Sequence, residues 1–238
     1  MEIKMFKKKK NILKHSAIVK GLNEIESAKK FIPDWYKKTK TPETNYKKIK
    51  NFFQEDNFKL CTPFLEPFTA GYMITLSTDI AVEQTEGGPS LSWRKDSQFP
   101  PAKLRDLPGN KTLPVPNGMS DVHFVWVTHN ILKIPKGYSF LMTHPMNRYD
   151  LPFITMTGIV DGDFTMYEGQ IPFFISSTFE GVIPAGTPIM QILPFKTENW
   201  KSKIDTEILK EAEKNKISVT QIYQGWYKKN FWKRKSYD

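Results

Sequence analysis

Four places in the chain carry residues that could do chemistry. Asn147-Arg148-Tyr149-Asp150 is a polar insertion between apolar runs. A loop of this kind, held on a rigid scaffold, is where binding groups collect, although an exposed turn also explains it. Val160-Asp161-Gly162-Asp163 sets two carboxylates across one glycine, which is also ordinary hairpin-turn chemistry. His123, His129 and His144 have the residue type of transition-metal ligands. No His-x-His pair accompanies them, and hydrogen bonding is an ordinary use of histidine. Cys61 with His144 is the remaining nucleophile pair, but nothing local marks an activated thiol. The chain has no P-loop, no G-x-S-x-G and no H-E-x-x-H.

These residues sit in a chain whose texture changes twice. From Cys61 to Trp200, apolar, β-branched and aromatic runs alternate with Gly, Pro, Asn and Asp clusters, the pattern of an all-β barrel or sandwich. The strands predicted are Tyr72–Leu76, Ile80–Glu83, Phe124–Thr128, Tyr138–Thr143, Phe153–Gly158, Gln170–Ile175 and Ile189–Pro194. Alternation puts His123, Val125 and Val127 on one face of their strand and Phe124 and Trp126 on the other. A long loop over 84–118, rich in Pro and Gly, carries Trp93, Arg94 and Lys95. A loop that long is functional or ordered by a partner.

Ahead of this core, 1–58 reads as a basic helical extension. Lys7 to Lys10 is a solvated run, and Asn23 to Ile32 is predicted as a short amphipathic helix capped by Asn23 and ended by Pro33. Asp34-Trp35-Tyr36 follows as an aromatic anchor. The domain expectation is thus 1–58, a core over 59–200, and 201–238 as a C-terminal helix and tail. Ile204, Ile208, Leu209 and Ala212 lie near helical spacing. The tail interleaves Tyr223, Trp226, Tyr227, Phe231, Trp232 and Tyr237 with Lys228, Lys229, Lys233, Arg234 and Lys235. Aromatics with cations can stack on bases and hold phosphates. The simpler reading is that the aromatics dock the tail while the lysines face water.

Composition bounds the answer further. Of 238 residues, 39% are hydrophobic and 25% charged, a globular balance with Phe and Trp enough for a sizeable core. No apolar run approaches a membrane span, and the N-terminus lacks the apolar stretch of a secretory signal. One cysteine excludes an internal disulfide and a Cys-based zinc site, so a reducing cytoplasm is the expected setting. The net charge of +10 points to acidic partners such as nucleotides, nucleic acid or an anionic surface. The lysines are scattered and no recognition motif accompanies them, which argues against specific nucleic-acid binding.

The most informative stretch runs from Ile134 to Phe195. It reads Ile134-Pro135-Lys136-Gly137, then Thr157-Gly158-Ile159-Val160-Asp161-Gly162-Asp163-Phe164, then Gly169-Gln170-Ile171-Pro172, and closes with Ile183-Pro184-Ala185-Gly186-Thr187-Pro188-Ile189-Met190-Gln191-Ile192-Leu193. The order resembles the dUTPase and dCTP deaminase superfamily. Upstream, Ala70-Gly71-Tyr72-Met73-Ile74, followed by Asp79, looks like that family's first motif. The same region also resembles uncharacterised phage-encoded proteins, so a phage origin is expected. The resemblance implies a mainly β fold, a dUTPase-like β-clip or distorted barrel, with flanking N- and C-terminal helices, and a homotrimer with sites between subunits.

Carried over residue by residue, the resemblance implies that Asp161 is the catalytic aspartate that positions the attacking water. It makes Phe164 the ring against the sugar and Gln191 the late pocket glutamine. Arg148, in Pro145-Met146-Asn147-Arg148-Tyr149, takes the place of the phosphate-binding arginine, with Asn147 and Asp163 beside the ligand. Three departures weigh against hydrolysis. Met73 replaces the aspartate on the metal side, the serine of the arginine motif is absent, and no glycine-rich tail follows. Phosphoryl chemistry needs charge compensation and a placed water, with Mg2+ the cofactor if the protein is catalytic. The leading expectation is therefore a non-catalytic relative holding a nucleotide-like anion or a protein partner. An active nucleotide hydrolase or deaminase, with Glu168 the only nearby glutamate for the latter, is the first alternative. A virion structural or assembly protein is the second, with the host cytoplasm or the virion as the corresponding location.

Overall fold

The structure, a computed structural model, describes residues 11–19, 22–40, 58–95, 97, 99–105, 113–221 and 226–237. The Lys7–Lys10 run and Tyr223 lie outside the described residues.

Strands β1 (Lys14–Ala17) and β2 (Glu26–Ser27) come first, then a 3₁₀ turn, Ala28–Phe31, and the short helix α1 (Asp34–Lys38). Helix α2 (Thr62–Thr69) leads into β3 (Tyr72–Thr75), β4 (Ile80–Thr85), β5 (Gly88–Ser92) and β6 (Ala102–Leu104). The central run is β7 (Phe124–Thr128), β8 (Asn130–Ile134), β9 (Tyr138–Thr143), β10 (Phe153–Thr155) and β11 (Gly158–Asp161). It continues with β12 (Phe164–Met166), β13 (Gly169–Ile175), β14 (Gly181–Ile183) and β15 (Pro188–Lys196), and the chain ends in α3 (Ile208–Gln221) and α4 (Trp226–Asn230). The protein is mainly β, as its sequence texture requires.

The strands form four antiparallel sheets, ordered β1-β8-β12, β10-β13-β7-β6, β11-β9-β15-β3-β2 and β14-β4-β5. Strand β7 is buried along its whole length, so its two alternating faces both meet core. Trp126 stacks on Phe173 with centroids 3.5 Å apart and planes within 5°, and Phe153 meets its edge. Burying each such ring contributes about 1.5–3 kcal/mol, and the geometry of the pair adds to that. Trp126 Nε1 is not orphaned by this burial: it donates to Thr155 Oγ1 at 3.0 Å, and Thr155 Oγ1 donates to Ile189 O at 2.6 Å. One hydroxyl thus ties β7, β10 and β15 together.

Phe124–Thr128 and Tyr138–Thr143 coincide with the strands predicted. Others need correction. The segment Phe153–Gly158 is not one strand; β10 pairs with β13 and β11 with β9, so the chain changes sheet at Met156-Thr157. The loop over 84–118 is not structureless. Gly88, with φ +101°, closes a β4–β5 hairpin, and β6 joins the edge of β7.

The N-terminal stretch expected as a helical extension contributes two strands. β1 pairs with β8 and β2 with β3. Asn23 does not cap a helix: its Nδ2 donates to Thr75 Oγ1 at 3.0 Å and to Leu76 O. A segment that short is marginal as a helix, and a sheet edge offers it fixed hydrogen-bond partners. The aromatic anchor holds: Tyr36 is buried, and its ring and that of Trp35 pack on Phe68 of α2.

Gly71 between α2 and β3 has φ +72°, and a Cβ there would stand 2.0 Å from Ile192 O. The glycine that resembles a motif residue is required by this close approach of two backbones.

Candidate functional site

Strand β9 organises the candidate residues and also separates them. Asp161 pairs with Ser139 at one end, and Gln191 pairs with Thr143 at the other. Four residues of strand put those ends about 13 Å apart. Asp161, Asp163 and Phe164 therefore gather at the first end. Asn147, Arg148 and Gln191 gather at the second, and within one chain the two sets do not meet.

At the first end, Ser139 Oγ donates to Asp161 Oδ1 at 2.7 Å and stands 2.7 Å from Thr197 Oγ1. With the serine proton given to the carboxylate, Thr197 is the donor of the second bond. Asp163 is paired with Lys133 at 3.0 Å, and Phe164 is an exposed ring on β12. Gly162 lets the turn close: its N–H donates to Tyr138 O, and a Cβ on it would stand 2.2 Å from Pro135 O.

At the second end Gln191, Arg148 and His144 are already engaged. Gln191 is fully buried; its Oε1 accepts the Met146 N–H at 2.8 Å, and its Nε2 donates to Pro67 O at 2.7 Å and Ala70 O at 2.6 Å. Arg148 grips Asp150 with two bonds of 2.9 Å, and Trp35 Nε1 adds a third bond to that carboxylate. Burial raises the Asp150 carboxyl, but the hydrogen bonds and charge of Arg148 outweigh it and hold the group below its ordinary range. Asn147 adopts φ +59° at the tip of the turn, a conformation asparagine tolerates. His144 locks this turn to β10: Nε2 donates to Arg148 O at 3.0 Å and Nδ1 accepts the Thr155 N–H at 3.3 Å.

The other histidines serve the fold. His123 meets Phe174 edge-on. His129 packs against Phe99 with the rings tilted, its Nε2 3.1 Å from Pro100 O and its Nδ1 3.5 Å from Glu168 Oε1. No three His, Cys, Asp or Glu side chains gather as a metal site among the described residues. The position that the resemblance assigns to the metal side offers no oxygen ligand. Where the resembled family carries its metal-side aspartate, the chain has Met73, an apolar side chain buried to 2% exposure. Magnesium takes hard oxygen ligands, and a thioether is not one.

The inner face of the same sheet holds a feature that residue-by-residue reading missed. Tyr138, Phe140, Pro194 and Tyr72 line a cavity of about 340 Å3, completed by Pro135, by Asn11 to Leu13, and by Ser236 and Tyr237. Tyr237 meets Tyr72 edge-on at 5.9 Å, and burial raises the phenols of both. Lys196 pairs across the strand with Tyr138, so it shares that ring's face of the sheet. Tyr72, the Tyr138–Thr143 strand and Tyr237 each stand out in the sequence, but nothing local brings them together; the two terminal segments arrive by non-local contacts. They are held by β1 on one side and by Glu66 on the other. Glu66 Oε1 accepts Trp232 Nε1 at 2.7 Å and also the Lys235 ammonium. The aromatics Trp232 and Tyr237 thus dock the tail.

No family model and no curated protein matches this chain. Among solved structures it is similar to a mutant dUTPase from phage phi11 of S. aureus, at 12% identity, with 82% of this chain and 97% of that chain covered and a TM-score of 0.37. It is also similar to a mutant dUTPase of Staphylococcus bacteriophage 80alpha with dUpNHpp, at 14% identity, 83% and 89% coverage and a TM-score of 0.38. A second mutant of that dUTPase gives 12% identity, 83% and 97% coverage and 0.36. These neighbours are of the kind that the sequence motifs resemble. At these TM-scores none of them lends the chain an activity or a ligand. No helix among the described residues is long and apolar enough to cross a membrane.

Proposed function

We propose that this dUTPase-like protein binds a nucleotide-like anion without hydrolysing it, and that the ligand's ring enters the tyrosine-lined cavity. The observation that carries this reading is the cavity wall itself. Tyr72, Tyr138, Phe140 and Tyr237 line a space of about 340 Å3, the size of a small-ligand site. Rings of this kind take planar bases by stacking. Lys196 pairs across the strand with Tyr138 and brings a positive charge to that side of the cavity for a phosphate. Against hydrolysis stand the buried Met73 and the Arg148 guanidinium already neutralised by Asp150.

The test is a thermal-shift screen of nucleotides, deoxynucleotides and cyclic dinucleotides with and without Mg2+, because a ligand bound to the native state raises apparent stability. A shift lost in Tyr138→Ala and Lys196→Glu, kept in Asp161→Asn, and unaccompanied by phosphate release is the expected result. A magnesium-dependent turnover lost in Asp161→Asn would replace binding with hydrolysis. No shift with any compound would reject the ligand.

A specific observation also favours self-association, the homotrimer being its expected form. On the outer face of the sheet, Ile159, Leu141 and Leu193 are direct cross-strand neighbours, with Phe195 beside them. Ile159 is 61% exposed on edge strand β11. An apolar row on an open edge is a surface that another chain covers. Sedimentation of wild type against Ile159→Lys tests it, and a monomeric wild type would remove it.

A further inference from the structure

Four aromatic residues of the basic tail fall into two sets. Trp232 and Tyr237 turn inward, onto Glu66 and Tyr72. Tyr227 and Phe231 turn outward. They are one helical turn apart on α4 and its continuation, where Phe231 N–H donates to Tyr227 O at 2.9 Å, so their rings share a face. The rings are stacked, with centroids 6.4 Å apart and planes within 24°, and they are 46% and 50% exposed.

Along this segment of the chain the charge is of one sign. Lys228, Lys229, Lys233 and Arg234 are all exposed, and the sequence from Gln221 to Tyr237 contains no acidic residue. Lys235 is held by Glu66. The inward contacts of Trp232 and Tyr237 fix the tail to the core on the far side of the pair, so the two rings are presented by an anchored segment.

We propose that Tyr227 and Phe231, with Lys228, Lys229, Lys233 and Arg234, form a binding platform for single-stranded nucleic acid. Exposed parallel rings accept unstacked bases, and the cations follow the phosphates between them. A duplex hides its base faces and offers the rings nothing, which is why the single strand is the favoured ligand. An acidic protein would use the cations and leave the rings idle. The platform is separate from the tyrosine-lined cavity and does not depend on it.

The experiment is fluorescence anisotropy of a labelled oligothymidine of about 15 nucleotides, a length chosen to exceed one such site. The full chain is titrated at several salt concentrations, with a duplex of equal length and polyglutamate as competitors. Four phosphate contacts predict that log affinity falls with log salt at a slope of about −3. Tyr227→Ala with Phe231→Ala should weaken binding at least about tenfold, with that slope unchanged. Tyr227→Trp should retain binding. Neutralising Lys228, Lys229, Lys233 and Arg234 with glutamine should flatten the slope. An unchanged thermal midpoint confirms that each variant is folded. The proposal is overturned if wild type does not bind, if the alanine pair binds as wild type does, or if duplex or polyglutamate displaces the strand as well as unlabelled strand does. Any of the last results would reduce the tail to a patch of charge.

Discussion

Gln191 holds the Met146 amide: its Oε1 accepts that N–H at 2.8 Å from within a fully buried position, while its Nε2 spans Pro67 O and Ala70 O. One side chain thereby joins β15 to the β9–β10 turn and to the end of α2. Replacing it with leucine keeps the volume and leaves one N–H and two carbonyls buried without partners. Each such group costs about 1–3 kcal/mol, so Gln191→Leu is expected to lower unfolding stability by about 3 kcal/mol or more. Urea denaturation measures it. A loss below about 1 kcal/mol would show that water replaces the amide.

Thr155 makes the same kind of junction deeper in the core. Its hydroxyl accepts from Trp126 and donates to Ile189 O. Thr155→Val conserves shape, so packing is retained and the two orphaned groups set the effect, about 2 kcal/mol or more of destabilisation. Thr155→Ser keeps the hydroxyl and should recover most of it. A loss in Thr155→Val well below about 1 kcal/mol would show that the hydroxyl junction contributes little.

His144 titrates against the fold. Burial is the main reason its folded pKa lies below the ordinary value, and the hydrogen bond to Arg148 O only partly offsets it. The neutral ring must keep Nδ1 unprotonated to accept the Thr155 N–H. The unfolded chain therefore takes up the proton more readily. Stability from this group is fully present above about pH 6.5 and is lost as pH falls below it. Denaturation midpoints between neutral and mildly acidic pH should fall in wild type and fall less steeply in His144→Gln. Parallel profiles would remove His144 as the cause.

How far the sequence reached depends on the range of the contacts. Phe124–Thr128 and Tyr138–Thr143 are legible because alternating or continuous apolar character is a local property of each strand. Gly71 and Gly162 are legible as motif positions, and the structure supplies the reason in backbone approaches that leave no room for a Cβ. The separation of Asp161 from Arg148 and Gln191 was not legible. Motif order along the chain says nothing of which end of β9 each residue reaches. The cavity was hidden for a related reason: Leu13, Tyr72, Tyr138 and Tyr237 come from four distant segments, brought together by β1 pairing and by the tail. Asn23 shows the opposite failure, a local capping signal overridden by acceptors on Thr75 and Leu76.

Glu66 fastens the tail that closes the cavity, and its titration should open it. The hydrogen bond from Lys235 is the largest influence on the carboxyl and lowers its pKa; burial opposes this, and the Trp232 bond and the lysine charge add to the lowering. A lowered folded pKa means that the clasp is fully present above the ordinary carboxylate value and is lost as pH falls through the lower folded one. Hydrogen exchange of the amides from Phe231 to Tyr237 should therefore stay slow through mildly acidic pH, relative to the intrinsic rate, and lose protection at more acidic pH. Glu66→Gln keeps an acceptor for Trp232 but not the charge for Lys235, so its protection should be lower at neutral pH and independent of acid. High salt should act on wild type in the same direction, because Lys235 is about half exposed and its ion pair is screened. Because Tyr237 is a wall of the cavity, Glu66→Ala should also weaken any nucleotide-induced thermal shift without touching Tyr138 or Lys196. Unaltered exchange in Glu66→Ala would mean that Tyr237 on Tyr72, and not the carboxylate, is what holds the tail in place.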